Sequence, residues 1–356
     1  MVDVRKGQYP GRLDRAAFRR RYLERFVDPA FDGERDAIDR LEAIAYDAYC
    51  RGRKAPLTRP AGPGFADPSY ELSEDWRASR AAVLSAAERH AAPDGPVRVL
   101  VIVGSSRNDG TCPGEMSKTY RLVEVAMDAI AADGGAADRL DLSRLVSEPL
   151  LHIHPCKACV STAMPLCHWP CSCYPNHATG QTGDAMAEIY PLWVAAHGVL
   201  IVAPVYWGEA PSPLKLMMDR LVCADGGNPD PTTTQGKDAA RAKALELDGW
   251  SYPKHLAGRA FGLIVHGDVS GASALRTSLH DWLTWMGLVP SGALGEIERY
   301  VGYFEPYATS HQALDRDRAI QEEARNAGRA VVRAARAVRE GVLRQPDAAL
   351  TPPRKK

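Results

Sequence analysis

No stretch of the 356 residues approaches the ~20 consecutive apolar residues of a membrane span, and the most apolar segment, residues 194–207, is broken by His197, Gly198 and Pro204. Net charge is also missing: Lys and Arg number 44, as do Asp and Glu, so no global field draws the chain to nucleic acid or an anionic membrane. The basic start has no apolar run behind it and does not read as a secretory signal. There is no internal repeat, no GxGxxG and no GxxxxGK[ST], which removes repeat architectures, the dinucleotide-wrapping fingerprint and the triphosphate P-loop. These absences predict a cytoplasmic chain with one sizeable core. Its eight cysteines are expected to be reduced, so clustered ones read as metal or redox ligands rather than disulfides.

What is present is the rhythm of a parallel sheet covered on both faces. Short apolar runs at 97–104, 137–143, 198–207 and 260–267, with a weaker fifth near 288–294, alternate with helical patterns at 118–132, 183–197, 212–224 and 272–286. Residues 1–95 read as helical pieces around a Pro/Gly-rich bridge at 55–71. A stripe of Ile320, Ala324, Ala327, Val331, Ala335 and Val338 marks a long C-terminal helix ending before Pro346, with a disordered PPRKK tail. The expected architecture is a doubly wound α/β sheet over about 96–305, flanked by an N-terminal helical extension (1–95) and a C-terminal helix and tail (306–356). Two segments interrupt the rhythm, a cysteine-rich loop at 152–180 and an insertion at 225–258, and both are expected at carboxyl ends of strands, where open α/β sheets bind ligands.

The first strand enters its helix through GSSRNDGTCPGEMSKT, beginning at Gly104. Ser105, Ser106, Arg107, Ser117, Lys118 and Thr119 offer hydroxyls, positive charge and a helix start to a phosphate. Alone, they justify only an anion site at a helix start. The third run ends in APVYWGEAP, with backbone donors and aromatic faces at Pro204, Val205, Tyr206, Trp207 and Gly208. The fourth ends in HGDVSGA, where Gly267 and Gly271 allow backbone to approach a planar ring. Met217 and Met218, with Leu214 and Leu221, read as helix core.

These three loops, in this order, resemble the NADPH-dependent FMN reductase family of flavodoxin-like proteins, a likeness covering about 97–300. The resemblance implies a flavodoxin-like fold with a five-stranded parallel sheet, FMN as cofactor and NAD(P)H as co-substrate. It implies that Ser105, Arg107, Ser117 and Thr119 meet the FMN phosphate. Pro204, Val205, Tyr206, Trp207 and Gly208, with Gly267 and Gly271, would meet the ring and ribityl chain. The loop departs from the family's usual spacing by the inserted DGTCPGEM, which carries Cys112. The flavin carries the chemistry in such an enzyme, so no catalytic side chain is required. Electrons would pass to a quinone, a free flavin or another acceptor. A homo-oligomer is expected, since flat flavin sites of this family commonly need a second subunit to complete them. The 225–258 insertion, with Trp250, Tyr252 and His255, is either a lid or a plain surface loop.

Five cysteines, at 156, 159, 167, 171 and 173, fall in CKACVSTAMPLCHWPCSC, with His152, His154, His168 and His177 nearby. Cys156, Cys159, Cys167 and Cys171 have the ligand count for a 4Fe-4S cluster or four-coordinate zinc, with unligated thiols or a redox CxxC as alternatives. The segment is similar to that of the iron-sulfur flavoproteins, whose cysteine spacing is tighter, and this likeness implies an electron-transfer reading with a ferredoxin-like partner. A third reading is a flavin- or zinc-binding interaction protein without turnover.

Overall fold

The computed structural model describes residues 13–267 and 270–343, so the start, the PPRKK tail and two residues of the HGDVSGA loop lie outside the described residues. The chain divides into two compact units. One comprises Val83–Ile153, Met186–Leu221 and Lys254–Lys356; the other comprises Met1–Ala82, His154–Ala185 and Val222–Pro253.

The larger unit contains the sheet. Its strands are β1 (Arg98–Val103), β2 (Ala136–Asp141), β3 (Gly198–Pro204), β4 (Ala260–Gly267), β5 (Val289–Pro290) and β6 (Glu296–Tyr300). The order is β2-β1-β3-β4, with β5 and β6 both on the far side of β4 and every pair parallel. This is the doubly wound flavodoxin-like order, with ligands expected at the carboxyl ends of the strands. The apolar runs of β1, β3 and β4 have no polar alternation because they are covered on both faces: Leu100, Val101, Leu200, Ile201 and Leu263 are completely buried. The fifth strand foreseen near 288–294 is split. Pro290 has no N–H to continue a ladder, and a tight turn at Ala293–Gly295 separates β5 from β6.

The expected helices are present as Lys118–Ala132, Met186–Ala195, Ser212–Arg220 and Ala272–Trp285. The C-terminal helix Arg318–Arg339 belongs to this unit rather than standing apart, and buries Ile320, Ala324, Ala327, Val331 and Ala335. It lies so close to the sheet that a Cβ on Gly198 or Gly262 would come within 2.7 or 2.6 Å of Val331. Glycine there replaces side-chain volume with contact between helix and strand. Among the described residues no helix is long and apolar enough to cross a membrane.

The smaller unit gathers three stretches far apart in sequence: the N-terminal region, the cysteine-rich loop and the insertion. The three linear stretches drawn from sequence therefore do not coincide with the compact units, because the two interruptions of the βα rhythm pack with the N-terminal residues. Helices Arg15–Leu23 and Arg35–Cys50 precede a two-stranded antiparallel ribbon, Thr58–Pro60 with Glu71–Ser73. The insertion carries the helix Ala239–Leu247, capped by Asp238 accepting from the backbone N–H groups of Ala240 and Arg241. Trp250 donates its indole N–H to Gly226 O (2.8 Å) and Tyr252 its hydroxyl to Glu246 Oε1 (2.7 Å), so this segment is tied down within its own unit.

Candidate functional site

The loop after β1 is held by its own polar side chains. Ser105 Oγ accepts from Arg107 N (3.1 Å), and Asn108 Nδ2 donates to Asp141 Oδ2 and Ser143 Oγ, both at 2.9 Å. The inserted residues fold back: Asp109 Oδ1 accepts from Ser117 N (2.7 Å), and Arg107 Nη2 donates to Glu115 O (3.1 Å). The insertion thus lengthens the loop without carrying Ser117 away from Ser105. Ser117 Oγ then accepts from Tyr120 N (3.3 Å) as the N-cap of Lys118–Ala132. Ser105 and Ser117 use their oxygens as acceptors in these bonds, which leaves each hydroxyl proton able to point at an anion.

After β3, Val205 N donates to His266 O (2.9 Å), and Tyr206 and Glu209 exchange backbone hydrogen bonds at 3.0 Å to close a tight turn. Trp207 and Gly208 occupy its two central positions with φ of 51° and 80°. Such a conformation is costly for Trp, and the indole is fully solvent-exposed. Gly271 sits at φ 103°, where a Cβ would stand 2.9 Å from Gly208 Cα, so the two glycines let the loops after β3 and β4 touch.

These loops enclose a cleft of about 170 Å³, smaller than the ~300–1,000 Å³ of a typical ligand pocket, so it encloses only part of a cofactor-sized molecule. Ser105, Arg107, Ser117, Thr119, Pro204, Val205, Tyr206 and Gly267 all line it. Trp207, Gly208 and Gly271 do not: the tight turn puts Tyr206 on the wall and Trp207 outside, and the glycines shape the loops from behind. Cys112 is exposed and is not among the lining residues.

Met116, His266 and His311 line the cleft without having been singled out from sequence. His266 had a visible signal, a polar residue closing an otherwise apolar strand just before Gly267. It is 4% exposed, and its Nε2 lies 2.8 Å from Thr119 Oγ1. Burial, then the Lys118 ammonium, bring its pKa down to about 3, so the imidazole is neutral at neutral pH. Thr119, assigned to phosphate, therefore already has a partner in the cleft wall. Arg107 differs: its Nε is buried and has no hydrogen-bond partner. An arginine with hydrogen-bonding capacity to spare, lining a cleft with two serine hydroxyls, fits an anionic group such as a phosphate.

The cysteine loop does not assemble the four-cysteine ligand set. Among the described residues no group of three or more His, Cys, Asp or Glu side chains is placed to hold a metal ion. Cys156 Sγ accepts from Ala158 N (3.4 Å) and Cys171 Sγ from Cys173 N (3.4 Å). Cys159 Sγ instead lies 3.5 Å from Cys173 Sγ and 3.5 Å from Lys237 Nζ. Lys237 thus brings a positive charge to the Cys159 sulfur, which disfavours a second cation there. The histidines have other duties: His154 contacts Thr182 O and stacks on Tyr174, and His177 pairs with Asp75. His168 is buried between Ser172 Oγ (2.6 Å) and Thr234 Oγ1 (3.0 Å), and burial lowers its pKa.

Comparison with known proteins adds the following. RosB, solved with a bound 8-demethyl-8-formylriboflavin-5'-phosphate intermediate, is similar at 14% identity and TM-score 0.47 over 69% of this chain and 82% of its own. An azoreductase from Bacillus anthracis str. Sterne is 12% identical, with TM-score 0.38, over 65% of this chain and 99% of its own. An NAD(P)H:quinone oxidoreductase from Methanothermobacter marburgensis is 15% identical, with TM-score 0.37, over 69% and 98%. No curated protein matches the chain. The family model described as NADPH-dependent FMN reductase matches residues 97–295, more than half of the chain.

Proposed function

The chain belongs to the NADPH-dependent FMN reductase family and is a flavin-dependent NAD(P)H oxidoreductase, and we propose that its FMN phosphate sits in the cleft at the ends of β1, β3 and β4. The observation that carries this reading is that Ser105, Arg107 and Ser117 line one cleft, with the buried Nε of Arg107 left without a hydrogen-bond partner. Arg107 supplies the charge-assisted hydrogen bond and the two serines neutral ones. Tyr206, Pro204 and Gly267, which line the same cleft, would border the ring end of the cofactor, and the neutral His266 holds Thr119 in position without adding charge. FMN supplies the hydride-accepting ring, and NAD(P)H the hydride. The protein's contribution is placement, with no side-chain acid or base assigned. Trp207, fully exposed at its strained turn, offers an aromatic face to the acceptor, a quinone, a free flavin or another planar oxidant. We place the protein in the cytoplasm, a reducing compartment that suits a chain with eight cysteines, and expect a homo-oligomer.

Arg107→Ala tests the assignment directly. Losing a hydrogen bond to a charged group, about 1.5–3 kcal/mol, should weaken FMN binding roughly ten- to hundredfold, read from flavin fluorescence quenching. Unchanged affinity in this variant removes Arg107 from the phosphate site. Bleaching of the yellow bands by NADPH under anaerobic conditions tests the reductase reading itself.

A further inference from the structure

We propose that Cys159 and Cys173 form a redox-active dithiol that converts reversibly to an intramolecular disulfide by exchange with a low-molecular-weight disulfide. Their sulfurs are 3.5 Å apart and hydrogen-bonded, so closing to the ~2.05 Å of an S–S bond needs a shift of only about 1.5 Å. They sit 14 residues apart, outside the CxxC spacing that draws the eye in the sequence. The two positions are also unequal. Cys159, on a one-turn 3-10 helix at Cys159–Ser161, is half-buried and open to a reagent, whereas Cys173 is 6% exposed.

The second observation is Lys237. Its ammonium donates to Leu166 O (2.6 Å) and Cys159 Sγ (3.5 Å), and the charges of Cys173, Cys159, Cys167 and Cys171 act on it. Burial works to lower its pKa, but the surrounding sulfurs outweigh burial and raise it. A buried ammonium beside thiols favours a thiolate next to it. Cys159 is that thiolate: the hydrogen bond from Cys173 and the charge of Lys237, opposed by burial and Cys171, bring its pKa down to about 6. Cys167, by contrast, is raised by burial and by its sulfur neighbours and stays protonated.

In the exchange, the Cys159 thiolate attacks one sulfur of RS–SR, forming Cys159–SR as the RS–SR bond breaks and one RSH leaves after taking up a proton. Cys173 then loses its proton and attacks Cys159 Sγ, forming the Cys159–Cys173 bond as a second RSH departs. The protein dithiol is oxidised by two electrons and the small disulfide is reduced to two thiols.

The test uses the reduced full chain, oxidised glutathione at pH 7, alkylation of remaining thiols and peptide mass spectrometry. A Cys159–Cys173 linkage that dithiothreitol reverses is the expected result. Cys173→Ser should stop at a glutathione adduct on Cys159, Cys159→Ser should form neither product, and Lys237→Met should slow adduct formation at pH 7 by about tenfold. No linkage under excess oxidised glutathione, or a linkage through other cysteines, overturns the proposal. So does stoichiometric zinc or iron in the purified protein with Cys159 unreactive. The wild-type linkage decides the matter even if a variant fails to fold.

Discussion

The two units hold themselves together by different means. In the larger, Val99, Val101, Leu122, Ala126, Leu200, Ile264 and Val331 belong to one apolar cluster made by central strands and the helices over them. Among the described residues, the smaller holds small clusters, Ala61, Leu72 and Trp76 in one place and Ala163, Leu166 and Ala242 in another, besides the rings of Phe18, Tyr46 and Tyr49. Polar groups do much of the ordering there. Asn228 is 1% exposed; its side chain donates to Pro165 O and Thr233 Oγ1 and accepts from Asp230 N, while its backbone pairs with Cys167 and Trp169. Asp67, Asp230 and Thr232 lock turns that are distant in sequence, with Ala66 N donating to Asp230 Oδ2 and Asp67 N to Thr232 Oγ1. Apolar burial is non-directional and tolerates approximate patterns, whereas a polar lattice depends on each partner being present.

Leu200→Ala, in the completely buried centre of β3, should give the largest loss, about 2–5 kcal/mol by denaturant unfolding, with faster amide exchange in the strands around it. Asn228→Ala is the matching break in the polar unit. Leaving Asp230 N and Thr233 Oγ1 without their partner should cost about 1–3 kcal/mol and raise exchange over residues 165–176. A loss below experimental error would mean that this unit is held by its small apolar clusters after all.

Acid should find the larger unit through His266. The unfolded histidine takes up its proton near its ordinary 6.5, while the folded one stays neutral down to about 3. The unfolded state therefore binds more protons in that window, and stability falls as pH drops through it, by about 1.4 kcal/mol per pH unit for this residue. His90, lowered by burial to about 4, acts in the same direction. His266→Gln should flatten the slope measured by chemical denaturation between pH 6.5 and 4.5, and an unchanged slope would assign the acid sensitivity elsewhere. Arg299→Gln should have the smallest effect. Its ion pair with Glu323 is largely exposed and is expected to be worth about 0.2–1 kcal/mol, fading in salt.

The same contrast explains what could be read without coordinates. Runs such as 98–103 and 260–267 declared buried parallel strands because nothing polar interrupts them, apart from Arg98 at the start of the first and His266 near the end of the second. The stripe from Ile320 to Ala335 declared a helix facing a core. That Ser105, Arg107 and Ser117 would line one cleft with Pro204 to Tyr206 and Gly267 was legible because strand ends converge by topology. Trp207 was not, since its orientation depends on a turn with two positive-φ residues. The cysteines were the hardest case. Spacing favours the neighbours Cys156 and Cys159, but the close pair is Cys159 with Cys173, and Lys237 comes from 78 residues beyond Cys159.

By itself, then, the sequence determined a parallel α/β sheet, the loops at its carboxyl ends and a flavin family, because periodicity and short motifs are local and survive without knowledge of contacts. Tertiary structure alone decided that the N-terminal region, cysteine loop and insertion make one unit, that the inserted DGTCPGEM folds back so that Ser105 and Ser117 line one cleft, and that the Lys237 ammonium stands beside the Cys159 sulfur. Those outcomes rest on single hydrogen bonds and one buried charge between residues far apart in the chain, and no local pattern encodes such meetings.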